Sequence, residues 1–483
     1  MSRIRILLCA LLACSALLSA TVGASQALAS ANQKLYFEAP ADLLNPSTRP
    51  HALVQLQELG VRALRVELNW YEVAPGRTSA TRPSFEATNP GSYGWGQYQI
   101  LLAEAQRLGW QVLLTVTSPV PRWATSNHKA PYTTRPDAQD FKEFMTAVAG
   151  EFGSEVSVYS IWNEPNEPAY LMPQWSSSGK PLSGRIYRGL YQAGYEGLQA
   201  AGIAHPKVLF GETAPVGYDT VNPRKEHSAA LLHPVAPLAF MREALCLNAK
   251  YKKSGSCGEL QMSGYAHHGY FPAAGPKYVW SQKDSVTIAS LSRLSNALNL
   301  AARAHAIPGG VPIYLTEFGV QSKPNKFEGV SAAKQAEYDA IAEHMAYSNP
   351  RVAAFSQYLL KDDPLGGPLS GSATGGYVGF QTGLEYVTGQ PKPLYHGFSV
   401  PLTVTKRGHG VSLWGLVRPS TGATKVTVLI ERKGSHGYRT LKTVSTNGAG
   451  YWSFNSSNKG TAWRVRWISP AGVKYEGPPI RAY

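Results

Sequence analysis

Between Leu35 and about Tyr395, short apolar runs alternate with segments of helical periodicity, and no other feature restricts the fold as much. A short apolar run bounded by turn signals reads as a strand buried on both faces, and such strands belong to parallel sheets covered by helices. Leu35-Tyr36-Phe37, Val61 to Leu68, Val112 to Val116 and Val156 to Trp162 are the first four. Val208-Leu209-Phe210, Met262 to Ala266, Ile313-Tyr314-Leu315 and Val352 to Tyr358 bring the count to eight. Between the third and fourth, Phe141, Phe144, Met145, Val148 and Phe152 share one helical face. Eight βα units predict an α/β chain folded as a (β/α)8 TIM barrel over residues 32–398, with loop-like stretches at Trp175 to Gly184 and Leu365 to Tyr377.

After Pro391 and Pro393 the texture changes to β-rich runs between Gly, Ser and Thr turns, such as Lys425 to Ile430 and Ala462 to Trp467. Residues 399–483 therefore read as a small C-terminal β-sandwich domain. Charge is concentrated there. From Pro401 to Tyr483, 13 Lys or Arg stand against Glu431 and Glu476, a formal +11 of the +15 on the whole chain. Such a surface attracts polyanions, and acidic polysaccharide or an anionic cell-envelope polymer is the expected partner. Nucleic acid is not expected, because no recognition motif is present and the chain opens with an export signal. The plainer alternative is a solvated domain packed on the barrel, with Trp414, Trp452, Trp463 and Trp467 as its core.

That export signal consists of Arg3 and Arg5, an apolar stretch from Ile6 to Leu18, and small residues around Ala27-Leu28-Ala29. Residues 1–31 are thus expected to be a secretory signal peptide, and the protein to be extracellular or in the cell envelope. No membrane span is expected, since the apolar core is shorter than the roughly 20 residues a spanning helix needs. A lipobox reading of Leu11 to Cys14 would leave the Ala27 region as a mere tether. Cleavage removes Cys9 and Cys14, leaving Cys246 and Cys257, whose pairing is expected to stabilise the fold by about 3 kcal/mol. Neither cysteine has a CxxC or histidine partner, and His267-His268 lacks a third ligand, so no metal or cofactor is expected.

Chemistry is indicated by two glutamates, each following an apolar run. One lies in Ile161-Trp162-Asn163-Glu164-Pro165-Asn166 and the other, 153 residues later, in Tyr314-Leu315-Thr316-Glu317-Phe318-Gly319. In a TIM barrel, catalytic groups sit at the C-terminal ends of strands. The fourth and seventh strands face one another across the mouth, so both carboxylates can flank a bound sugar, as glycoside hydrolysis needs.

The segment Trp162-Asn163-Glu164-Pro165-Asn166 resembles the acid/base motif of glycoside hydrolase clan A, and Thr316-Glu317-Phe318-Gly319 resembles that clan's nucleophile strand. The likeness extends to Leu64-Arg65-Val66, Asn69-Trp70, Pro121-Arg122-Trp123 and His268-Gly269-Tyr270, over roughly Leu35 to Tyr395. It is greatest for the family 39 type, which includes bacterial endoglycosidases acting on exopolysaccharides. The resemblance implies a retaining O-glycosyl hydrolase with a poly- or oligosaccharide substrate. Glu317 would attack the anomeric carbon; Glu164 would protonate the leaving oxygen, then act as base when water resolves the glycosyl-enzyme.

Other residues have supporting parts in this reading. Asn163 is expected to hydrogen-bond the sugar 2-hydroxyl, and Arg65 to hold Glu317 ionised, with an Arg65–Glu67 structural pair as the alternative. Tyr270 or His268 would orient the nucleophile or a sugar hydroxyl. Trp70, Trp123 and Trp162 offer faces for pyranose stacking, while Glu212, Asp362 and Asp363 are expected at the cleft rim. One departure stands out: the clan's eighth strand often supplies a tryptophan floor, whereas this chain has Ser356-Gln357-Tyr358, which leaves Tyr358 as the substitute. The rival readings are a noncatalytic carbohydrate- or envelope-binding protein on a hydrolase fold, and a transglycosylase.

Overall fold

All eight apolar runs are parallel strands in the computed structural model, which describes residues 33–226, 232–364, 379–435 and 437–483. The expected leader over 1–31 and the expected loop from Leu365 to Tyr377 lie outside the described residues. The strands are β1 (Lys34–Glu38), β2 (Ala63–Asn69), β3 (Gln111–Thr117), β4 (Val158–Ile161), β5 (Val208–Thr213), β6 (Gly264–His268), β7 (Ile313–Glu317) and β8 (Val352–Tyr358). They pair in sequence order and close into a barrel, with β8 beside β1 in a register that sets Tyr358 opposite Glu38.

Side-chain alternation divides the barrel in two. Outward residues such as Leu64, Val66, Val112, Leu114, Ile313 and Leu315 join the large core beneath the surrounding helices. Inward residues at the N-terminal end, among them Tyr36, Ala63, Leu113, Val158 and Leu209, form a separate apolar floor. Two residues further along most strands the inward set becomes polar: Glu38, Arg65, Thr115, Ser160 and His268 are all buried. With a period of two, a strand that begins apolar inside must deliver its next inward side chain one layer nearer the mouth. That layer carries the charge.

The helix Ala138–Phe152 shows how the outer shell is built. Asp137 caps it by accepting from the Asp140 amide, and the face bearing Phe141, Phe144, Met145, Val148 and Phe152 is buried. The stretch from Trp175 is irregular until a helix begins at Ser183. Cys246 and Cys257 are disulfide-bonded, with their Cα atoms 6.0 Å apart. Among the described residues no helix is long and apolar enough to cross a membrane.

Beyond the barrel, seven antiparallel strands among the described residues form two sheets. β9 (Leu402–Arg407), β10 (Gly410–Leu416) and β13 (Tyr451–Ser456) make one, in the order β13-β10-β9. β11 (Lys425–Glu431), β12 (Arg439–Ser445), β14 (Ala462–Ile468) and β15 (Lys474–Glu476) make the other, in the order β12-β11-β14-β15. Trp452, Trp463 and Trp467 fill the core between them with Val404, Leu413 and Val428, so they are packing residues rather than a carbohydrate platform. Trp414 instead stacks on His344, 4.6 Å away on the helix Ala332–Tyr347, and Arg418 grips Glu343 of the same helix at 2.8 and 2.9 Å. The sandwich is thus seated on the barrel through buried aromatic and ionic contacts.

Candidate active site

Local backbone geometry aims the first glutamate. β4 ends at Ile161, and both Trp162 (φ 72°) and Glu164 (φ 36°) adopt left-handed conformations that cost a non-glycine residue of order 1–3 kcal/mol each. The reversal turns the Trp162 indole outward, edge-on to Phe141 with its N–H donating to the Tyr170 carbonyl at 2.9 Å, and leaves Asn163 and Glu164 facing the mouth. Buried Asn166 locks the turn. Its Nδ2 donates to the carbonyls of Ala214 and Val235, and its Oδ1 accepts from the Ala214 amide. Glu212 (φ 51°) and Leu359 (φ 81°) repeat the strain at the ends of β5 and β8. Strain gathered at one rim of the barrel marks a functional rather than a packing constraint.

Glu317 is the last residue of β7, and a register shift between β6 and β7 sets it opposite His268. Three side chains surround it, and one of them, His268, reaches Glu164 as well. Tyr270 donates its hydroxyl to Glu317 Oε1 at 2.6 Å. Arg65 reaches Oε2 at 3.2 Å. His268 Nδ1 lies 2.7 Å from Glu164 Oε1 and 3.8 Å from Glu317 Oε2, so those two oxygens are at most 6.5 Å apart.

Beneath them, fully buried Arg65 is the hub. Its guanidinium also donates to Glu38, to Glu212 at 2.5 Å and to Asn163 Oδ1 at 2.8 Å, with Glu67 further off at 3.9 Å. Thr115 gives Glu212 a further bond at 2.8 Å. Burial pushes Glu212 up, but Arg65 and His268 outweigh it and draw its carboxyl down to about 2. Glu38 goes the other way: burial, reinforced by Glu317 and Glu67, overrides Arg65 and raises it to about 8. Burial likewise raises Glu67 to about 7. For His268, burial favours the neutral ring, yet Glu317, Glu164 and Glu212 together lift it to about 10. It is an imidazolium at neutral pH. His267, one residue away on the opposite face, is lowered to about 3 by burial; its Nε2 donates to the Val286 carbonyl and its Nδ1 accepts from Thr213.

The structure brings together Glu164, Glu317, Arg65, Asn163, His268 and Tyr270, and sets Tyr358 at the end of β8, where Glu317 and Glu38 raise its hydroxyl pKa further after burial. Arg65 holds both partners the sequence offered it as alternatives, Glu317 closely and Glu67 at a distance. Tyr270 takes the nucleophile side and His268 the acid side.

Five expectations need correction. Trp70 is fully buried, stacked on Phe144 with ring centres 5.1 Å apart, so no sugar reaches its face. Trp123 is edge-on to Trp70, with Arg82 over its ring and its N–H on the Pro75 carbonyl. Both are core residues, as is Trp162, because the helix Ala138–Phe152 and the strand ends close over them. Glu212 and Asp362 are not rim residues either: Glu212 lies under the mouth on Arg65, and Asp362 is buried in an ion pair with Lys392 at 2.6 Å. Sequence reasoning missed Glu38, although it directly follows the apolar run of β1, the same signal that marks Glu317. It also missed Tyr170, whose hydroxyl is raised by burial and then by Glu67, Glu164 and Glu317 around it. Nothing in the pattern near Tyr170 points inward.

No protein-family model matches the sequence, and no curated protein matches it. Several solved structures to which the chain is similar are named as glycosidases. They include a family 39 glycoside hydrolase from the gut symbiont Bacteroides cellulosilyticus WH2, at 13% identity, covering 88% of this chain and 81% of that one with a TM-score of 0.49. A glucosidase from Croceicoccus marinus gives 10% identity, 88% and 92% coverage, and a TM-score of 0.49. Xylanase 10B from Thermotoga maritima gives 13%, 76% and 94%, and 0.44. The case for activity rests on this chain's own side chains.

Proposed function

We propose that the protein is a secreted retaining glycoside hydrolase that cleaves O-glycosidic bonds of a poly- or oligosaccharide by double displacement. The observation that carries this reading is the spacing across the mouth. Retaining enzymes hold their two carboxyl groups about 5–5.5 Å apart and inverting ones roughly 6.5–9.5 Å, and Glu164 Oε1 and Glu317 Oε2, held on one imidazole nitrogen 2.7 and 3.8 Å away, approach closely enough for the retaining geometry.

Glu317, held by Tyr270 and Arg65, attacks the anomeric carbon, and the bond to the leaving oxygen breaks as a proton reaches that oxygen from Glu164. His268, kept cationic by its carboxylates, shares its Nδ1 proton with Glu164 across 2.7 Å, so the pair carries the proton the leaving group needs. In the second half Glu164 takes a proton from water, which attacks the glycosyl ester and frees Glu317. Asn163 is fixed through Oδ1 on Arg65, which leaves its amide N–H groups for a sugar hydroxyl. The basic leader followed by an apolar run supports export.

The test is a glycan panel with Glu317→Ala and Glu164→Gln, followed by anomeric proton NMR of early product. Both variants are expected to lose hydrolysis, and azide is expected to restore turnover to the acid/base variant with retained configuration. Unchanged activity in either variant, or a first-formed product of inverted configuration, overturns the proposal. Sugar transfer in place of water attack would identify a transglycosylase.

A further inference from the structure

The thirteen cations of the C-terminal sandwich are not evenly neutralised. Glu476 takes Arg464, Arg466 and Lys474, and Glu343 of the barrel takes Arg418. The other nine have no carboxylate partner among the described residues. Five of them, Arg432, Lys433, Arg439, Lys442 and Lys459, are exposed and lie at one end of the sandwich, where the turn after β11 meets β12 and the β13–β14 loop. The register sets Arg439 beside Ile430. Arg432 donates to Asn458 Oδ1 at 3.0 Å, and Lys442 lies 4.9 Å from the Phe454 ring centre, which ties β12 and the β11 turn to the β13 side.

Between Arg432, Arg439 and Asn458 lies a surface groove of about 470 Å³, lined by Arg432, Lys433, Arg439 and Asn458 with Ile430 and Leu441 as its apolar floor. That volume is in the roughly 300–1,000 Å³ range of small-ligand sites. Glu431, the one carboxylate close in sequence, makes no ion pair with these cations among the described residues. We infer that this groove binds the carboxylated sugar residues of an acidic polysaccharide. Two guanidinium groups offer planar forks that match a carboxylate, an ammonium adds charge, and the aliphatic floor suits the C–H face of a pyranose. Single-stranded nucleic acid is disfavoured by the lining, which has no aromatic ring for base stacking among the described residues, since the domain's tryptophans are spent in its core and on the barrel. Binding here does not depend on whether the barrel hydrolyses anything, so it is tested apart from activity.

The full chain would be titrated with fluorescently labelled polygalacturonate, neutral dextran and single-stranded DNA as salt is raised. The expected result is binding to polygalacturonate that weakens with salt, none to dextran, and weaker binding to DNA. Arg432→Gln/Arg439→Gln should weaken polygalacturonate binding by about tenfold or more, as loss of charge-assisted hydrogen bonds requires, while circular dichroism stays unchanged because both side chains are exposed. The control is Lys406→Gln/Arg407→Gln, which removes two exposed, unpaired cations at the β9–β10 turn outside the groove. An equal loss in the control would show diffuse attraction and overturn the site. DNA binding as tight as polygalacturonate binding would overturn the assignment of the ligand, and failure to bind polygalacturonate at low salt would overturn both.

Discussion

Replacing Arg65 by Met tests the charge arrangement under the mouth most directly. The wild-type guanidinium is fully buried and touches Glu38, Glu212 and Glu317. For Glu212, whose carboxyl is drawn from 4.5 to about 2, the displacement corresponds to about 3 kcal/mol of stability at neutral pH. Breaking a buried ion pair by removing one partner costs about 3–5 kcal/mol, which agrees. The sign with pH follows from the depressed value. In the wild type this contribution is present above the unfolded value near 4.5 and is lost as pH falls through 2. In the variant, Glu212 is buried without the guanidinium, so it titrates upward and takes up a proton in mild acid, where Glu38, already raised to about 8, is protonated with or without Arg65. The deficit is therefore expected to be about 3–5 kcal/mol near pH 8 and smaller near pH 5, read from urea unfolding followed by tryptophan fluorescence. A loss below about 1 kcal/mol near pH 8, or one that grows toward pH 5, would refute the electrostatic account.

Three further outcomes are expected. Tyr270→Phe removes the 2.6 Å donor to Glu317, and kcat/KM on any cleaved glycan should fall by about 10- to 100-fold with the urea midpoint little changed. Glu38 is raised to about 8, so its stabilising contribution is full below the unfolded value near 4.5 and is lost as pH rises through 8; Glu38→Gln should flatten the decline in unfolding midpoint between mild acid and alkali. Trp70→Ala should lower stability by about 3–5 kcal/mol, because it empties a stacked core position, whereas a sugar platform would leave stability intact and weaken substrate binding.

Legibility in the sequence followed periodicity. Each of the eight apolar runs is a barrel strand, because a strand buried on both faces is apolar along most of its length, with polar residues confined to the inward layer near the mouth. Glu164 and Glu317 were legible for the converse reason: a carboxylate placed just after such a run is costly unless it has a task. The aromatic residues misled. Trp70 and Trp123 lie beyond the mouth ends of β2 and β3, but an indole is satisfied equally by a sugar face or by Phe144, and only packing decides between them.

The sequence by itself determined the architecture, the two glutamates and the basic surplus of the last 83 residues, since apolar period, residue type and net charge are properties of the chain. Tertiary structure alone decided the partners. It gathered Arg65, Glu38, Glu212 and His268 from β2, β1, β5 and β6 into one buried network, and it turned the cations around Arg432 to one end of the sandwich. Closing the barrel brings Arg65 and Glu317, 252 positions apart, within hydrogen-bonding distance, and the protonation of each group depends on neighbours that no local pattern names.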